Sequence, residues 1–479
     1  MKWQATRTSR NVGHFLAFPW LTGSTEIATQ VRHIQSWFSP PDPWKFHDIA
    51  CEPHQEGTAA WFIERDMKTK DYDGSILCHE AAWEDHKGLA HLLVEHDTDA
   101  MAKNKDGSPP LYSAVRAKSV DLTHFLVTHC VDAAAQDEDW WTPLHWAVRA
   151  RRVDLVRSLV EHGADTTAKD KHGFTPLHCA SRVGSIDIAR ILLEHGADVK
   201  AKNNDGSTPL HEAALKDRVD LARLLVKSGA NATANSKDGS TPLHLSVWVK
   251  SMEITRFLIE HGADAAAQDE DRWTPLHWAV RARRIDLARL LAGHGADATA
   301  KTTRGWAPLH LAVWRGREDL VRLLIEYGAD PTARYKDGST PLHLAVSAGS
   351  VDLARLFIEW GAYAIVKDKD RPAMLREAVW AQNVDLARLL LEYGADATVP
   401  DRDQLTPLHV AARRGSVDLT RLLIEYGADA TKQDKDGMTP LYLAAAQKSG
   451  GVDLARLLVE HGVDVTAQRL WAYPVVRRD

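Results

Sequence analysis

The sequence predicts an all-α solenoid of about twelve 33-residue units, each a helix, a short turn and a second helix, joined by β-hairpin-like finger loops. Three observations predict it. The phrase Thr-Pro-Leu-His starts at Thr142, Thr175, Thr208, Thr241, Thr274, Thr340 and Thr406, and altered copies hold the same phase at Ile76, Pro109, Ala307, Ala373 and Thr439. A glycine closes most units, at Gly163, Gly196, Gly229, Gly262, Gly295, Gly328, Gly361, Gly394, Gly427 and Gly462. Between phrase and glycine, the apolar residues run at helical spacing over a face too wide for a helix covered on one side only.

Each element of a unit has its own local cause. In the unit around Thr175, the threonine is the N-cap of a first helix and Pro176 falls in its first turn, where a missing N–H costs nothing. Gly184 and Ser185 separate this helix from a second one carrying Ile186, Ile188, Ala189, Ile191, Leu192 and Leu193. Gly196 then stops the chain in the left-handed conformation that a helix C-cap favours. Asp97 and Cys130 replace the stopping glycine in two early units. Asp and Arg three apart in the second helices, as in Asp187 and Arg190 or Asp352 and Arg355, are expected to form exposed pairs of about 0.2–0.5 kcal/mol.

The phrase followed by alanine, a second helix of the VDLARLLIEYGAD kind and the DGSTPLH return together resemble the ankyrin repeat. The resemblance covers residues 71–468. It implies a stack of antiparallel helix pairs with projecting fingers, a protein-binding role, no catalytic residues, and a phrase histidine that bonds backbone groups of the loop. The finger glycine is replaced by Trp140, Arg272, Arg371 and Gln404, and the Ala373 unit has nearly lost the phrase, so its finger is expected to depart from the rest.

Residues 1–70 do not join the repeat. Ser24 or Thr25 could cap an amphipathic helix through Ile27, Val31, Ile34, Trp37 and Phe38, which Pro40, Pro41 and Pro43 terminate. The run SWFSPPDPWKFHDIACEPHQEGTAAWFI resembles the segment just upstream of the NACHT nucleotide-binding module in fungal NOD-like receptors, but no Gly-x-x-x-x-Gly-Lys-Ser/Thr phosphate cradle follows. This leader is read either as a cap on the stack or as a remnant of a receptor reduced to its sensor array. Residues 469–479 form a tail.

The chain has 479 residues and a formal net charge of −6 with interspersed signs. That is not the basic footprint of a nucleic-acid binder. No stretch approaches the roughly 18 to 20 apolar residues of a membrane helix, and HFLAFPWL lacks a signal-peptide pattern, so a cytoplasmic protein is expected. Cys51, Cys78, Cys130 and Cys179 have no metal or disulfide spacing, and Cys78 and Cys179 hold positions usually given to buried apolar residues. The histidines repeat one residue in every unit, whereas an enzyme site needs unlike groups converging, so neither catalysis, metal nor cofactor is expected. The acidic finger residues, among them Asp137, Asp139, Asp269 and Asp271, are expected to be solvated.

Variation between the fixed positions marks the candidate partner-binding residues: Trp141, Phe174, Trp273 and Trp306 just before the phrase, and Arg149, Arg182, Trp248, Arg281, Trp314, Arg315 and Trp380 at the end of the first helix. Trp and Arg are the residues most enriched at interface hot spots. They could also satisfy one another by cation–π stacking, or the arginines could pair with finger aspartates. Trp146 and Trp278 are expected to pack between repeats. The basic stretches 149–152 and 281–284 suit an acidic or phosphorylated protein partner. They belong to nearly identical blocks, from Ala133 and from Ala265, that point to duplication. The function expected is a protein-recognition scaffold, or else an adaptor that joins a bound target to a separate effector through residues 1–70.

Overall fold

The structure, a computed structural model, describes residues 79, 82, 110–129, 134–365, 371–447 and 451–462. All of them belong to the unit Asp73–Asp479, which is distinct from Met1–Tyr72. The leader, its capping role, Cys51, Cys78, Asp97, Cys130 and the tail lie outside the described residues.

The first helices start on the proline of each phrase, as in Pro143–Arg149, Pro176–Val183, Pro209–Leu215, Pro242–Trp248, Pro275–Arg281, Pro308–Trp314, Pro341–Ser347 and Pro407–Arg414. Their partners follow after two or three residues, as in Val153–Glu161, Ile186–Glu194, Val219–Lys227, Met252–Glu260, Ile285–Gly293, Glu318–Glu326, Val351–Glu359 and Val417–Glu425. The main helix contacts join each first helix to its own second helix, first helices to first helices of the next unit, and second helices to second helices. Leu177, Ile188 and Leu192 are fully buried in this way, as are Leu309 and Leu324 further along. The core is one continuous apolar column in which no unit is covered without its neighbours.

The phrase acts as a cap. Thr175 stands in extended backbone before the helix, and its hydroxyl accepts the His178 N–H. His178 Nδ1 accepts the Thr175 N–H at 3.2 Å, which leaves the ring proton on Nε2, donated to the Ser207 carbonyl of the next finger at 3.0 Å. The same bonds recur from His145 to Phe174, His211 to Ser240, His244 to Trp273, His277 to Trp306 and His409 to Met438. The stopping glycines take positive φ, 84° at Gly163 and 85° at Gly196.

Two expectations need correction. No ion pair joins Asp187 to Arg190 or Asp352 to Arg355. Close pairs form where an arginine precedes the second helix by one position, as in Arg152–Asp154 at 2.7 Å and Arg284–Asp286 at 2.5 Å, and also between Glu318 and Arg322 and between Asp403 and Lys435, each at 2.6 Å. A side chain at the N-cap reaches the first-turn aspartate more directly than one a turn later does. Asp137 and Asp269 are not freely solvated, because each is half-buried and closes its finger by accepting backbone N–H groups, from Trp141 at 2.8 Å and from Trp273 at 2.7 Å. Trp140, Arg272 and Gln404 keep the left-handed finger turn without glycine, at φ 61°, 60° and 60°. Arg371 does not: it begins the helix Arg371–Trp380, so the Ala373 unit enters its first helix early, and its finger residues 366–370 lie outside the described residues.

Among the described residues the fingers form no strand. They are tight turns, most of them hydrogen-bonded to the one before, as in Lys171 N–H to the Asp139 carbonyl, Asn204 to His172, Lys237 to Asp205, Glu270 to Asp238 and Thr303 to Asp271.

Candidate functional site

The fixed residues of the phrase are buried, so any surface chemistry falls to the residues between them. Trp141, Phe174, Trp273 and Trp306 give their backbone carbonyls or finger positions to the histidine bonds, and their rings lean on the histidine four residues on, with Phe174 to His178 centroids 5.6 Å apart. Each of these residues stays partly accessible.

From that position three of the rings meet the arginine at the end of their own first helix, and Trp306 meets Trp314. Arg149 lies over Trp141 at 5.3 Å, Arg182 over Phe174 at 5.7 Å and Arg281 over Trp273 at 5.4 Å. The eight-residue step brings the finger and the last helical turn onto one edge of the unit. Stacking of cation on ring therefore holds these arginines, and Arg182, Arg281 and Arg315 form no ion pair with finger aspartates among the described residues. Arg315 stacks on Trp314 at 4.4 Å, and Trp380, 43% exposed, carries Arg414 at 3.9 Å.

The structure gathers these residues into separate groups. Trp248, Trp278, Trp273 and Arg281 form the largest, with Trp248 edge-on to Trp278 at 5.0 Å and Trp273 against Trp278 at 5.0 Å. Arg281 touches both Trp273 and Trp278, the latter at 5.0 Å. Trp306 and Trp314 adjoin at 6.4 Å, and Trp314 is 51% exposed. The duplicated block repeats the arrangement with Trp141, Trp146 and Arg149, but Arg116 stands over Trp146 at 6.0 Å where Trp248 stands over Trp278. Trp146 and Trp278 do pack against the core, as expected, yet they also supply the ring that joins each group.

Between the two blocks the surface changes character. Glu212 is buried, with Oε2 lacking a hydrogen-bond partner among the described residues, and burial raises its carboxyl pKa against the opposing pull of Arg182 and Lys216. Burial also pushes the Cys179 thiol up to about 12. The sequence signal for Glu212 is an acid at the position where other units place Trp146, Leu245 or Trp278. Tyr335 is a further departure between units. It takes the finger position where Asp170, Asn203 and Asp269 close the turn, and its ring packs on Trp306 at 5.2 Å instead. His310 accordingly bonds the Ala333 carbonyl at 3.1 Å and not a finger-end carbonyl.

Among the described residues no helix is long and apolar enough to cross a membrane. A family model for ankyrin repeats (3 copies) matches the chain in overlapping stretches, residues 78–170, 114–203, 163–236, 196–269, 229–302, 267–335, 309–401 and 375–469. No curated protein matches the chain.

Proposed function

The chain belongs to the ankyrin repeat family, whose members typically serve as non-enzymatic scaffolds for protein–protein interaction, and from that premise we propose that this one recognises a protein partner along the finger and first-helix edge. The observation that carries the reading is the division of labour within each unit. Thr, Pro, Leu and His of the phrase are buried in structure-making contacts, whereas the variable positions beside them hold half-exposed tryptophan and arginine.

The contact residues proposed are Trp141, Arg149, Phe174, Arg182, Trp248, Trp273, Arg281, Trp306, Trp314, Arg315 and Trp380. Their chemistry favours a partner segment with acidic or phosphorylated residues and apolar side chains, met in the cytoplasm. Origin from a fungal NOD-like receptor rests on the resemblance of the leader alone.

Affinity capture from a native extract, followed by mass spectrometry, identifies the partner. Trp273→Ala and Trp314→Ala are expected to weaken capture by more than about 2 kcal/mol each while leaving helical circular dichroism unchanged. Unimpaired capture by both variants would refute the site.

A further inference from the structure

Within the proposed surface one place carries positive charge that the protein itself does not neutralise. Arg281, Arg283 and Arg315 come from the ends of two successive first helices and the turn that follows the earlier one. Arg283 donates from its guanidinium to the Arg315 carbonyl at 3.4 Å, which ties the two units together here. Arg281 is held over Trp273 and Trp278, and Arg315 over Trp314. Stacking fixes the flat faces of these guanidinium groups and leaves their N–H edges for a ligand.

The acids nearest in sequence are already engaged: Asp286 with Arg284, Asp319 with Arg317 and Glu318 with Arg322. Arg315 Nε is buried and has no hydrogen-bond partner among the described residues. Burial, and then the charge of the neighbouring arginine, lower the pKa of both Arg281 and Arg315, by Arg315 in the first case and Arg283 in the second. The first copy of the duplicated block does not rebuild this group, because Val183 stands where Arg315 does and Arg182 where Trp314 does.

We infer that Arg281, Arg283 and Arg315 form an anion site for a phosphorylated side chain of the partner, flanked by Trp278 and Trp314. The inference rests on the proposed partner surface. A phosphate monoester presents three acceptor oxygens and up to two charges, which matches several guanidinium edges better than a single carboxylate does.

Calorimetric titration of the full chain at low salt with inorganic phosphate, and separately with acetate, tests it. Saturable phosphate binding is expected, weaker by about tenfold or more in Arg281→Gln and in Arg315→Gln and unchanged in Arg190→Gln on a second helix. Gln keeps the stem length, and circular dichroism melts confirm that each variant folds. Absence of saturable binding, wild-type affinity in both Arg281→Gln and Arg315→Gln, or acetate binding as tightly as phosphate would each overturn the assignment. Partner capture that still depends on Trp273 and Trp314 would then leave the broader reading standing.

Discussion

At the residue scale the histidine of the phrase is the most consequential group, because it is both cap and cross-link between units. Burial lowers the pKa of His145, His178, His211, His244, His277 and His310 from 6.5 to about 4. The native state keeps the ring neutral, so between these two values the unfolded chain binds protons that the native one refuses. Stability from these rings is complete above pH 6.5 and is lost as pH falls toward 4. Burial raises Asp269 to about 7 and also raises Asp137, Asp170, Glu212 and Glu377, which acts in the opposite sense and offsets part of the loss from the column of histidines. Urea midpoints are expected to drop steeply between pH 6.5 and 4.5, and a flat profile there would contradict the assignment. Left-handed residues give a second prediction. Lys250 sits at φ 65° in the turn between helices, where a Cβ costs about 1–2 kcal/mol and glycine costs about 0.5–1 kcal/mol in chain entropy. Lys250→Gly should therefore raise the thermal midpoint slightly, by up to about 1 kcal/mol in stability.

At the scale of elements, the finger ladder has a gap. The bonds that join Asp139 to Lys171 and continue through Asp271 to Thr303 are not repeated between Arg304 and Lys336, and they return between Asp403 and Lys435. Tyr335 marks the gap: its ring is drawn to Trp306, while the turn itself stays closed, with Asp337 accepting the Ser339 N–H at 2.8 Å. The Lys336 amide should exchange with deuterium much faster than those of Glu270 and Thr303, and equal protection would show the ladder to be intact. Helix boundaries were largely legible in sequence because threonine, proline and glycine act on their own neighbours. The early start of Arg371–Trp380 is the exception, in the unit whose phrase is nearly lost.

At the scale of the whole repeat array, contacts run between adjacent units, so stability is a sum of unit and interface contributions. Leu309 is fully buried in the middle of the described stack. Leu309→Ala is expected to cost about 2–5 kcal/mol and to split thermal unfolding into separable transitions, because neighbours on either side keep their own interfaces. A single cooperative transition merely shifted to lower temperature would argue against nearest-neighbour coupling. The sequence by itself determined the repeat, its period, the capping chemistry and the list of variable Trp and Arg positions, since each depends on residues within one unit. Only the tertiary structure decided which of them meet. Stacking across units placed Trp248 on Trp278, left Arg281 and Arg315 close together without a counter-ion, and buried Glu212 between the two blocks. Those contacts join residues about 30 positions apart, and their geometry is set by how one helix pair packs on the next.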